Sequence, residues 1–119
     1  MPPLAEIGKY KRLAELFVLA MKADSQITSD RNKEAIECMV DHGLTERQAR
    51  DMIKSAFERL DRGMIRSTEQ TIKDVSTFFR RREHGLILAQ LQAIIEAGAI
   101  SENSQLFYDL CSNYLFHKG

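Results

Sequence analysis

Apolar residues recur along this chain at helical spacing, and polar residues interrupt them at short intervals. Leu13, Leu16, Phe17, Ala20 and Met21 form the first stripe, predicting a helix from about Gly8 to Ala23 that Asp24-Ser25-Gln26 breaks. Thr28 or Ser29 can cap a second helix whose inner face is Ala35, Ile36, Met39 and Val40, with His42-Gly43 as its stop. Thr45-Glu46-Arg47-Gln48 reads as a capping box opening a third, with Ala49, Met52, Ile53, Ala56, Phe57 and Leu60 inward and Gly63 closing it. Ser67-Thr68-Glu69-Gln70 opens a fourth that buries Ile72, Val75, Phe78 and Phe79 and ends in Arg80-Arg81-Arg82, where cations suit the helix dipole. A fifth, from about Glu83 to Ala97, is apolar nearly all round and so belongs at the centre of a bundle. Ser101 caps a sixth that buries Leu106, Phe107, Leu110, Tyr114 and Leu115.

Strand alternation is missing, and both prolines lie at positions 2 and 3, where they break no helix. The expected fold is therefore a single all-α domain over residues 1–119. It is a bundle of about six helices in which two helical hairpins bracket a central helix pair.

Composition narrows the function classes. Seventeen basic and seventeen acidic residues leave no net charge, so the whole chain has no electrostatic pull towards nucleic acid or an anionic membrane. No run approaches the roughly 18 apolar residues of a membrane span. The start lacks the basic and apolar regions of a signal peptide, and Cys38 and Cys111 suit buried free thiols. Together these point to a cytoplasmic protein.

One phrase occurs twice. Leu16-Phe17-Val18-Leu19-Ala20-Met21-Lys22-Ala23-Asp24-Ser25-Gln26-Ile27-Thr28 and Leu91-Gln92-Ala93-Ile94-Ile95-Glu96-Ala97-Gly98-Ala99-Ile100-Ser101 each run an apolar helix into a small polar turn, an isoleucine and a capping hydroxyl. Convergent helix-hairpin grammar is one reading of this repeat. The other is a family: Ala23-Asp24-Ser25-Gln26-Ile27-Thr28 resembles the Ala-Asp-Gly-x-Ile-Ser turn of the tellurite-resistance TerB-like family. Glu34-Ala35-Ile36-Glu37 and the break at Gly43-Leu44-Thr45-Glu46 fit it too.

The resemblance implies an all-helical fold carrying this turn twice, and acidic residues from both turns sharing a divalent metal. The chain departs from that pattern. Ser25 stands at the glycine position, Arg31 falls where the first glutamate belongs, and Asp30 lies beside it. The second turn has no aspartate, and Asn103 or Ser104 occupies its glutamate position. A hard cation wants six or more oxygen ligands. Asp24, Asp30 and Glu34 are the metal candidates left, so the site is expected to be weak or lost and no cofactor is required.

Other chemistry was weighed on spacing. An EF-hand beginning at Asp24 would need glycine and glutamate where Ser29 and Ala35 stand. Cys38 and His42 share a helix face, but two ligands do not make a zinc site. No nucleophile elbow, phosphate loop or metalloprotease motif occurs, and Glu96 is the one carboxylate read as standing against an apolar run, so an enzyme is disfavoured. Arg59, Arg62 and Arg66 surround the turn after the third helix, and Arg80, Arg81 and Arg82 follow the fourth. If those ends meet, they form a patch for phosphate, RNA or an acidic partner; otherwise they are a solvated face paired with Glu58, Asp61 and Glu83. The expectation is a non-enzymatic module that binds a protein partner or ligand in a groove between the hairpins, linked to stress or tellurite resistance as the resemblance implies. A nucleic-acid or phosphate binder using the arginines is the alternative.

Overall fold

In a computed structural model, which describes residues 4–23, 25 and 27–117, the chain is a bundle of six helices. They are α1 (Leu4–Lys22), α2 (Ser29–Val40), α3 (Glu46–Asp61), α4 (Thr68–Phe78), α5 (Arg81–Glu96) and α6 (Glu102–Leu115). No strand occurs among the described residues, and none of their helices is long and apolar enough to cross a membrane.

The caps lie where short hydroxyl side chains can accept from the exposed amides of a first turn. Thr28 accepts from Arg31 N–H, Ser67 from Gln70 N–H and Ser101 from Ser104 N–H. Thr45 and Gln48 form the reciprocal capping box. Gly43 and Gly63 take left-handed φ values of 96° and 68° just past the ends of α2 and α3.

The centre of the bundle is α1 rather than α5. Leu13, Ala14, Leu16, Phe17, Val18, Ala20 and Met21 are all fully buried. Their run is nearly continuous because α1 packs against all five other helices and has almost no solvent side. Helix α5 lies against α6, α2 and α1, while Leu86 at its N-terminal end remains exposed. Helices α3 and α4 each pack on α1, and contact between α2 and α5 ties the two repeat hairpins together.

Some sequence expectations shift. Val40, Phe78 and Leu106 are exposed, at 37%, 49% and 58%, although their positions suit a core stripe. Helix α4 stops at Phe78 and Phe79 is extended, so Arg80 is the N-cap of α5 and Arg81 and Arg82 begin its first turn. These arginines therefore sit at the positive end of a helix dipole, where Glu83 compensates by accepting from the Arg80 N–H at 2.8 Å.

Candidate functional site

Arg31, three residues past the first copy of the repeated phrase, reaches across to the second. Thr28 and Ser101 are the N-caps of α2 and α6, which makes Arg31 and Ser104 equivalent third-position residues. Both turn inward and both are fully buried. Ser104 stays local, its hydroxyl accepting from the Ser101 N–H at 2.9 Å. Arg31 instead crosses to the other hairpin, where Nη2 donates to the carbonyls of Ile95 and Ala99, each at 2.9 Å. The Ile95 carbonyl is in the last turn of α5, the negative pole of its dipole, and the Ala99 carbonyl is in the turn that follows, so the buried guanidinium finds two acceptors and a favourable partial charge. The turn closes over it at Gly98, where an added Cβ would lie 2.6 Å from Arg31 Nε.

Ser25 has a left-handed φ of 62°. That is the conformation glycine adopts most readily, at the position where the resemblance places a glycine. Ile27 and Ile100, the isoleucines shared by both copies, are half-exposed rather than packed.

The metal candidates are dispersed or beyond description. Asp24 lies outside the described residues. Asp30 is exposed in the first turn of α2, and Glu34 accepts a long hydrogen bond from Cys38 Sγ at 3.9 Å. No group of three or more metal-ligating side chains occurs among the described residues. Cys38 and His42 do not form a pair either: His42 Nε2 bonds Gln90 Oε1 at 2.9 Å. Burial, with nearby acids, pushes the Cys38 thiol up to about 12; burial does the same to Cys111, so both stay protonated and poorly nucleophilic at neutral pH.

The arginines divide into two groups. Arg59 donates to Glu15 at 3.0 Å and Arg66 to Asp74 at 3.4 Å. Arg12 joins both carboxylates, pairing closely with Glu15 and at 3.9 Å with Asp74. Arg62 is exposed at the end of α3. Arg80, Arg81 and Arg82 are exposed as well, but the eleven residues of α4, about 16 Å of helix, separate them from Arg66. The sequence reading overlooked Glu15, only 1% exposed and set within Leu13-Ala14-Glu15-Leu16-Phe17. That run was the available signal for a buried carboxylate. Glu96, the residue singled out instead, is exposed.

A groove of about 1230 Å³ opens between α2 and α3. It is therefore not the expected cleft between the two repeat hairpins. Ile36, Val40, Ile53 and Phe57 supply its apolar floor, with Ile27 at one end, and neither Asp30 nor Glu34 lines it.

No family model, no curated protein and no solved structure matches this chain.

The arrangement has no ion cage among the described residues. It does present an apolar trough with charged rims on a tightly cross-braced bundle, which suits recognition of another surface.

Proposed function

We propose that this chain is a non-enzymatic, TerB-like helical module that binds a protein partner or ligand, in the stress- or tellurite-resistance setting the resemblance implies, with its metal site weak or lost. The observation that carries the binding reading is the open α2–α3 groove, whose floor leaves Val40 and Ile27 at 37% and 49% exposure. Half-exposed aliphatics along a groove are what an interface covers. The weak-metal reading is supported by the sequence, in which Arg31 stands where the resemblance places the first glutamate and the second turn has no aspartate.

A photo-crosslinking side chain placed in turn at Val40, Lys54 and Gln105 tests the binding reading in the protein's native cells. Val40 and Lys54 line the groove, whereas Gln105 is exposed on α6. The expected result is one protein adduct shared by Val40 and Lys54 and missing from Gln105. No adduct from either groove position overturns the reading.

The second reading is phosphate or nucleic-acid binding, narrowed to Arg80, Arg81 and Arg82, which are exposed together at the start of α5. Counter-ion release makes such binding steeply salt-dependent. A titration of short duplexes and single strands against salt, with no association even at low ionic strength, removes it.

A further inference from the structure

The α2–α3 groove has a shape and charge that specify its occupant, and we infer that it receives an amphipathic helix carrying lysine or arginine along the edges of its apolar stripe. This rests on the reading of the groove as a binding surface.

The walls dictate the guest's backbone. Both are helices whose amides and carbonyls are already bonded within the helix, so they have no free ladder for an extended peptide. A guest segment that buries its backbone there must satisfy its own polar groups, as a helix does. The aliphatic floor supplies the anchors: Ile36 and Val40 are four apart on α2, and Ile53 and Phe57 are four apart on α3. Helix α2 has twelve residues, about 18 Å, which accommodates three turns of guest with apolar residues at helical spacing.

The rims dictate the guest's charge. Glu37, Asp41, Glu46, Glu58 and Asp61 line the groove against Lys33, Arg50 and Lys54, an acidic excess in a chain of zero net charge. Arg50 is taken up by Glu46 at 2.6 Å. No ion pair among the described residues takes up Glu37, Asp41, Glu58 or Asp61. Because α2 and α3 form consecutive packed helices, Asp41 at the end of α2 lies towards the start of α3, and Asp61 lies at the groove's other end. Acids thus stand at both ends of an apolar floor, and basic residues flanking the guest's stripe complement them.

The α6 face of a second copy fits poorly. The most exposed large apolar helical residue among those whose burial is described is Leu106, flanked on the same α6 face by Glu102 and Asp109. Helix α6 contains no lysine or arginine, so it would bring acids to an acidic rim.

The test uses two synthetic amphipathic peptides of about 18 residues with identical apolar stripes, one flanked by lysines and one by glutamates. The chain has no tryptophan, so one tryptophan in each peptide reports binding without background. The expected result is an affinity about tenfold or more higher for the lysine peptide at low salt, a gain in its helicity on binding, and a gap that narrows as salt rises. Val40→Gln and Ile27→Gln, both on half-exposed positions, weaken it about tenfold, while Leu106→Gln leaves it unchanged. Equal affinity for the two peptides, binding by neither, or indifference to Val40→Gln overturns the inference. So does a concentration-dependent dimer dispersed by Val40→Gln, which assigns the groove to a second copy. If neither peptide binds while the Val40 and Lys54 crosslinks persist, the helix assignment falls and the binding reading stands. Loss of both removes the binding reading itself.

Discussion

Arg31 and Gly98 are in contact across the bundle, 67 positions apart in sequence: the guanidinium lies where a side chain at residue 98 would begin. The close approach arises because Nη2 is held on the Ile95 and Ala99 carbonyls on either side of Gly98. Gly98 does not have a left-handed backbone, so its lack of a Cβ serves space rather than conformation. Gly98→Ala is expected to cost about 1–3 kcal/mol by forcing a buried, bonded group to shift. In an Arg31→Ala background the same change becomes neutral or stabilising. A double-mutant cycle from denaturant melts reads the coupling, and additivity of the two changes would remove the packing argument.

Ser25→Gly acts at the equivalent turn of the other repeat. A left-handed serine costs about 1 kcal/mol, partly offset by the greater entropy glycine loses on folding. The variant is expected to be more stable by up to about 1 kcal/mol. A lower melting temperature would contradict this.

Glu15 is the buried acceptor for both Arg12 and Arg59. Glu15→Gln keeps its size but turns a charge-assisted acceptor into a neutral amide facing two cations. A loss of about 1–3 kcal/mol is expected. Glu46→Gln, whose pairing with Arg50 is solvent-exposed, should change stability by less than about 1 kcal/mol. Similar losses for the two variants would mean that burial does not strengthen the Glu15 pair.

Divalent cations should leave the thermal melt unmoved. With no aspartate in the second turn and no group of three metal-ligating side chains among the described residues, Ca²⁺, Mg²⁺, Mn²⁺ and Zn²⁺ added separately are each expected to give no rise in melting temperature. An ion that binds the native state at 100 times its Kd adds about 2.7 kcal/mol, so a real site is hard to miss.

The end of the described chain is expected to respond to pH. His84 Nε2 bonds the Phe79 carbonyl at 3.0 Å, which leaves Nδ1 to accept from His117 Nε2 at 2.8 Å. Partial desolvation, with the positive charge of Arg81 and the neighbouring His84, holds His117 below the usual histidine range. A depressed folded pKa means the unfolded chain binds the proton first. The contribution of His117 is therefore present above about pH 6.5 and lost as pH falls from there through the folded value. Melts across that window should show a smaller acid loss for His117→Gln than for the parent, and identical slopes would refute the assignment.

Periodicity and capping chemistry carry most of this fold, because they are local. Thr28, Thr45, Ser67 and Ser101 each bond an amide three residues away, so each announces its helix without reference to the rest of the chain. The six helices and their order were legible on that ground, as were several of their ends, although α1 begins at Leu4 rather than near Gly8. Where a helix sits is a different matter. Helix α5 is apolar enough to be central, yet α1 holds the centre, because that place depends on how all six helices share their apolar faces. The break between Phe78 and Arg81 was also misplaced, since the extended Phe79 buries its ring beside Tyr10 and His42, both distant in sequence.

The candidate site was legible only as a pair of similar turns. Residue by residue, the sequence already determined that the second turn has no aspartate and that an arginine, Arg31, stands three residues after the capping hydroxyl of the first. The tertiary structure alone decided that Arg31 is buried against the other turn, that Glu15 is enclosed, and that the open groove lies between α2 and α3. The physical reason is reach: caps and stripes act within a turn or two of helix. A buried charge or a groove depends on which carbonyl, cation or apolar face the folded chain places opposite it.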